Sequence, residues 1–205
     1  LQPARITISG GFITLIAILY LFDANNLLPL LAITALAHEL GHVLLIWALG
    51  GRVLRLHLGL VGLCIDYEGQ GIGYLGEVAI ALAGPLANLA LAYGASLWGR
   101  HTGGETAFFL AGISLGAAVF NLLPIGQLDG GRGLYGILAY TLGPAVAGRV
   151  DRVLGGVLIV ALFAAGLTLF FWSGWNFTLL TAAIWLLIGY CKSRGSAVQY
   201  AVTHF

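Results

Sequence analysis

Six apolar runs, at about 6–22, 27–49, 74–98, 107–128, 150–172 and 175–191, occupy most of the 205 residues. Each is long enough to cross a bilayer as a helix, and in lipid only helices and closed barrels satisfy every backbone polar group. Composition agrees: 60% of the residues are hydrophobic and 8% charged, where a soluble domain carries roughly 25% charged residues. Too little polar surface exists to enclose a soluble core. The same scarcity excludes intrinsic disorder, and nine basic residues balanced by eight acidic ones exclude a nucleic-acid-binding module. The expected architecture is an all-α polytopic membrane protein with about six transmembrane helices, forming a single domain over 1–205 with its core at 27–135.

The segments between the runs are short. Asn25-Asn26 predicts a tight turn between the first two helices, and Gly50-Gly51 stops the second. Residues 52–67 alternate irregularly between polar and apolar and predict a short hairpin at the membrane surface or dipping into it. Residues 130–148 open on Gly-Gly and halt at Gly143-Pro144, which predicts a short interfacial or re-entrant helix. The 31 glycines suit helices that approach closely through small residues. Cys64 and Cys191 are far apart in the chain and read as unpaired thiols. With no Met, not even at position 1, the chain is expected to lack its natural start.

The basic residues orient the spans. With the N-terminus cytosolic, Arg5, Arg52, Arg55, Arg132, Arg149, Arg152, Lys192 and Arg194 fall on the cytosolic side and only Arg100 on the other. That bias follows the positive-inside rule and would fail for an odd number of spans. Both termini are therefore expected in the cytosol. Trp98, Trp172 and Trp175, near span ends, suit the aromatic belt of the opposite face.

The second run contains His38-Glu39-Leu40-Gly41-His42, an H-E-x-x-H pattern. Residues four apart share one helix face, so His38 and His42 can offer two imidazole nitrogens to one metal ion. Glu39 lies beside them as a general base for an attacking water. A chance match in a chain of this composition is on the order of a few in a thousand. Position sharpens the signal, because a charged group near the bilayer centre costs roughly 2.5–3.5 kcal/mol. Three ionisable residues in five positions need compensation, and a bound zinc ion supplies it.

A catalytic zinc ion usually has three protein ligands, and the other acid at membrane depth is Asp129. It ends the segment Asn121-Leu-Leu-Pro124-Ile-Gly-Gln-Leu-Asp129, expected at the cytosolic end of the fourth helix. Alone, Asp129-Gly130 reads better as a surface turn than as a ligand site. Pro124 breaks the helix there, which membrane depth tolerates only where the chain lines a cavity or packs on protein. His42 lies roughly 12 Å before the end of its helix at 1.5 Å per residue, so the site is expected in the cytosolic half of the bilayer.

The combination of His38-Glu39-Leu40-Gly41-His42 with Asn121-x-x-Pro124-x-x-x-x-Asp129-Gly130 on a later helix resembles the site-2 protease family of intramembrane zinc metalloproteases. Gly84-Pro85-Leu86-Ala87-Asn88 is similar to the small-residue segment of that family. The compact layout resembles most its bacterial sporulation-type branch, the stage IV sporulation protein FB group. By that resemblance His38, His42 and Asp129 would hold one zinc ion and Glu39 would be catalytic, with Asn121 and Pro124 shaping the site and helping to hold substrate. Asn88 could also hydrogen-bond in the site, or serve only as a polar contact between helices. Within 205 residues, neither the PDZ nor the CBS domain of other members is expected.

The resemblance implies an enzyme of the bacterial cell membrane that hydrolyses peptide bonds in or beside transmembrane segments of membrane-protein substrates, such as a transcription-factor precursor or an anti-sigma factor. Glu39 would accept a proton from water and pass it to the leaving amine. A helical substrate must be locally extended first, and the 52–67 hairpin could pair with it or simply anchor at the interface. Two other functions compete: a metal-ion transporter, which lacks support because no paired repeats are visible, and a catalytically silent helix-binding relative, against which the intact Glu39 argues. Glu77 reads as interfacial, and His57, His101 and His204 as solvated. Substrate, regulators and oligomeric state are not encoded in any recognisable motif.

Overall fold

The computed structural model describes residues 5–23, 26–59, 62–69, 71–173 and 177–196, and divides the chain into two compact units, Leu1–Leu122 and Leu123–Phe205. The first unit begins with strand β1 (Arg5–Ile8) and helix α1 (Gly10–Phe22), followed by α2 (Leu28–Ala48), β2 (Arg52–Gly59), β3 (Gly62–Glu68), α3 (Tyr74–Thr102) and α4 (Glu105–Asn121). The second unit holds α5 (Asp129–Leu142), α6 (Pro144–Trp172) and α7 (Thr178–Ser196).

Three of these helices, α2, α3 and α6, are long and apolar enough to cross a membrane; α1, α4 and α7 carry shorter apolar stretches. That is half the number of spans expected from the apolar runs, and the reason is local. Residues 5–8 of the first run form a strand, leaving a 13-residue helix of about 20 Å. The fourth run does not continue to 128, because α4 ends at Asn121, three residues before Pro124. The short helix expected to stop at Gly143-Pro144 is α5, closed by Gly143 at φ 87°, and α6 then begins at Pro144 rather than near 150. Proline at the start of α6 is favourable, since its missing N–H would be unpaired there in any case.

Within the first unit, short-range contacts set the ends of the helices. Ser9 accepts a hydrogen bond from the Phe12 amide at 3.1 Å and caps α1. The Asp23 carboxylate accepts from the Leu27 and Leu28 amides at 2.7 and 2.8 Å, satisfying donors at the start of α2 that its own N-cap residue leaves open. At the other end Gly50, with φ 79°, turns the chain back so that the Gly51 amide donates to Ile46 at 2.8 Å. Asn26 takes a positive φ of 51° before α2; its expected turn partner Asn25 lies outside the described residues.

Helix α3 supplies the packing surface. Its buried residues, Ala81, Gly84, Pro85, Asn88, Ala92, Ala95 and Gly99, repeat every three or four positions and bring neighbouring backbones close. A Cβ on Gly41 of α2 would lie 2.5 Å from the Ala83 carbonyl oxygen of α3, so only glycine permits this approach. Leu30, Ala95 and Leu110 form a buried apolar cluster joining α2, α3 and α4, and Thr34 and Ser114 share a buried hydrogen bond of 3.0 Å. The three strands form one sheet in the order β1-β2-β3, with β1 parallel and β3 antiparallel to β2. In that sheet Thr7, His57 and Cys64 lie in one row across the strands, and His57 Nδ1 is 2.9 Å from Thr7 Oγ1, a partner not expected from sequence.

In the second unit the chain from Pro124 to Leu128 folds beneath the start of α5. Ile125 and Leu128 are buried, and Gly131 sits directly on the Ile125 backbone. The Gln127 amide donates to the Leu186 carbonyl of α7 at 3.0 Å. Helices α6 and α7 meet where Gly166 lies against the Leu180 backbone, the same small-residue device as in the first unit. Trp98 and Trp172 are strongly exposed near helix ends, as expected of belt residues. Trp175 and His204 lie outside the described residues, as do the side chains of Lys192 and Arg194.

Candidate metal centre

Two ligand side chains meet on α2. His38 and His42, one helical turn apart, are both buried, with exposures of 9% and 6%. Their Nε2 atoms face each other at 3.1 Å, and their rings stand at 81°. Two nitrogens bound to tetrahedral zinc at 2.0–2.1 Å lie about 3.3 Å apart. The imidazoles are therefore already spaced as ligands of one ion.

The outer nitrogens show how that pair is held. His42 Nδ1 lies 2.7 Å from the Ile80 carbonyl oxygen on α3. A carbonyl only accepts, so Nδ1 carries the proton and the lone pair is on Nε2, the tautomer a metal requires. His38 Nδ1 lies 3.1 Å from the Asn88 side-chain amide nitrogen, while Asn88 Oδ1 is buried and accepts no hydrogen bond. In this arrangement Asn88 donates, and His38 Nε2–H can donate to His42 Nε2. Metal binding at His38 Nε2 would move the remaining proton to Nδ1, which then needs an acceptor. A half-turn of the Asn88 amide supplies Oδ1 there and satisfies the buried oxygen. The donor chemistry and the orphaned oxygen both fit a metal ion.

Gly84 completes the cradle. A Cβ at this position of α3 would overlap His42 Nε2 and lie 2.8 Å from His38 Cε1. The sequence shows Gly84 only as part of a small-residue segment; its position against both imidazoles depends on how α2 and α3 pack. The Ile80 carbonyl is likewise invisible in sequence, being backbone. Glu39 follows His38 on the same helix and is half-buried.

The other expected site residues are placed as follows. Asn121 is the last residue of α4, and its side-chain amide donates to the Ala117 carbonyl of its own helix at 3.0 Å. Pro124 is half-buried in the turn after it. Asp129 does not end the fourth helix; it is the first residue of α5, in the second unit. It is 7% exposed, and Arg132 approaches one oxygen at 3.9 Å, one turn further on. A carboxylate in the first turn of a helix is favoured by the unpaired amides there. Glu77 accepts a hydrogen bond from the Tyr67 hydroxyl, linking α3 to the sheet.

No protein-family model matches this sequence. It is 33% identical over 176 residues to "Putative zinc metalloprotease Rip3" of Mycobacterium tuberculosis, covering 82% of this chain and 43% of that protein. It is 31% identical over 182 residues to "Putative zinc metalloprotease sll0528" of Synechocystis, covering 84% of this chain and 46% of the other. The chain thus spans less than half the length of the curated relatives it matches. Among solved structures it is similar to the "Site-2 Protease from Methanocaldococcus jannaschii", with a TM-score of 0.69, 22% identity, and coverage of 94% of this chain and 92% of that one. In fold, then, the chain is similar to a site-2 protease structure. By sequence it is a relative of proteins named as zinc metalloproteases, and no likeness to the sporulation-type branch in particular accompanies these matches.

Proposed function

We propose that this chain is an intramembrane zinc endopeptidase in which His38, His42 and Asp129 hold one zinc ion and Glu39 is the catalytic base. The observation that carries the proposal is the opposed Nε2 pair at 3.1 Å with both outer nitrogens engaged. Asp129 is proposed as third ligand on its motif, and the names of the relatives support zinc as the metal. When bound, zinc lowers the pKa of water and polarises a peptide carbonyl. Glu39 takes the proton from the attacking water and returns it to the leaving amine. Asn88 and the Ile80 carbonyl hold the two rings in register, and Gly84 keeps the space in front of them open. Asn121 and Pro124 are proposed, on their motif, to shape the site and help hold substrate.

The substrates proposed are membrane proteins cleaved within or beside a transmembrane segment, in the manner of regulated intramembrane proteolysis. Six spans, cytosolic termini and an active site toward the cytosol in a bacterial cell membrane remain the proposed topology, supported by the distribution of basic residues. The proposed role of the β2–β3 hairpin is at the membrane interface.

Co-expression with single-span substrates tests the assignment. Glu39→Gln is expected to keep zinc at one per chain and to lower cleavage by about 10²–10⁴-fold, the usual contribution of a general base. Asp129→Asn is expected to lower zinc content. Cleavage that survives Glu39→Gln would overturn the mechanism.

A further inference from the structure

A second site, sharing no residue with the metal centre, lies on α6 and α7. Arg149, Arg152, Val153, Gly156 and Val157 of α6 and Tyr190 of α7 line an open cleft of about 440 Å³, within the range of small-molecule sites. Neither arginine forms an ion pair among the described residues; Arg152 spends only its Nε, on the Gly148 carbonyl of its own helix at 3.0 Å. Asp151 neighbours Arg152 and feels its charge, but it is not among the residues that line the cleft, and its carboxylate lies beside Gly126, where a Cβ would be 2.6 Å from its Oδ2. The Tyr190 hydroxyl donates to the Arg152 carbonyl at 2.9 Å and joins α7 to α6 at the cleft. Gly156 opens that floor: a Cβ there would sit 3.1 Å from the same hydroxyl.

The depth of this cleft follows from helix arithmetic. Arg152 and Trp172 are twenty residues apart on one continuous helix, about 30 Å, the thickness of the hydrocarbon layer. Trp172 is 86% exposed at one end, as an interfacial tryptophan would be. The arginines then stand at headgroup level at the other end. From Arg149, the exposed residues Val153, Val157 and Val160 follow at spacings of four, four and three along one face. Two guanidinium groups at headgroup level thus lead directly into an apolar stripe running toward the bilayer centre.

We infer that this cleft binds an anionic phospholipid, its phosphate held by Arg149 and Arg152 and an acyl chain laid along Val153, Val157 and Val160. Guanidinium is the group best matched to phosphate oxygens. A zwitterionic headgroup would bring a cation to a cleft whose lining residues include two arginines and no acid. Each basic residue near an anionic membrane surface contributes about 1 kcal/mol, equivalent to about fivefold in affinity.

Lipid retention on the purified full chain tests this, read by native mass spectrometry after incubation with phosphatidylglycerol or phosphatidylcholine. Wild type is expected to retain phosphatidylglycerol preferentially, and each of Arg149→Gln and Arg152→Gln to weaken that retention about fivefold. Gly156→Leu, which fills the cleft floor without changing charge, should weaken it as well, whereas Arg100→Gln on α3, outside the cleft lining, should not. Equal retention of both lipids, undiminished preference in the double arginine variant, or an equal loss in Arg100→Gln would overturn the site. Full displacement by millimolar inorganic phosphate would show a soluble anion site and overturn the lipid assignment. Circular dichroism of each variant separates loss of the site from loss of the fold.

Discussion

The side chain on which most depends, apart from the ligands themselves, is Asn88. It touches His38 with one end of its amide and leaves the other end buried without a hydrogen bond, an arrangement that costs roughly 1–3 kcal/mol as it stands. Metal binding at His38, as proposed, would reverse the amide and recover the bond. Asn88→Ala is therefore expected to lower zinc affinity by about 10–100-fold, the usual effect of removing a residue that orients a metal-bound histidine, with helicity unchanged. Asn88→Asp, which keeps an acceptor for His38 Nδ1–H, should recover a large part of it. Equal zinc affinity in Asn88→Ala and wild type, measured by competition with a chelating dye, would leave Asn88 a mere contact between helices. In sequence those two roles could not be separated, because an asparagine on an apolar helix serves either. What decides is the 3.1 Å approach to an imidazole fifty residues away.

At the scale of the elements, the pairing of α2 with α3 makes the histidine face usable. Gly41 lies on the line of contact, where a Cβ would be 2.5 Å from the Ala83 carbonyl oxygen and 2.9 Å from the Ala87 Cβ. Gly41→Leu is expected to force the helices apart, at a cost of about 1–3 kcal/mol, visible as a lower unfolding temperature in detergent. It should also lower zinc content, since Ile80 and Asn88 would withdraw from the rings. H-E-x-x-H was legible as a helical ligand pair from spacing alone. That its fourth position, Gly41, must be glycine for packing was not, because α3 is remote in the chain. The helix boundaries show the same division. Gly143-Pro144 announces its own break, whereas the end of α4 at Asn121 and the new helix starting at Asp129 depend on Ile125 and Leu128 being buried beneath α5. Apolar character there marked burial in protein rather than continuation of a span.

For the whole molecule, the proposed orientation makes a prediction that uses its two cysteines. Cys64 and Cys191 are both free and exposed, one on β3 and one near the end of α7, and the basic-residue bias puts both on the cytosolic side. A membrane-impermeant maleimide should label both in inside-out vesicles and neither in intact spheroplasts; labelling of the two from opposite sides would overturn the six-span arrangement. Composition and hydropathy alone determined that the chain lives in a membrane, because too few charges exist to clothe a soluble surface. Spacing alone determined that two imidazoles share one helix face, because a helix returns every 3.6 residues. Tertiary structure decided everything that depends on a second element: which tautomer His42 takes, what stands behind His38, why Gly41 and Gly84 are glycines, and that residues 5–8 leave the first helix to join a sheet. Periodicity is a property of one segment, while a hydrogen bond between segments depends on distances that sequence separation does not set.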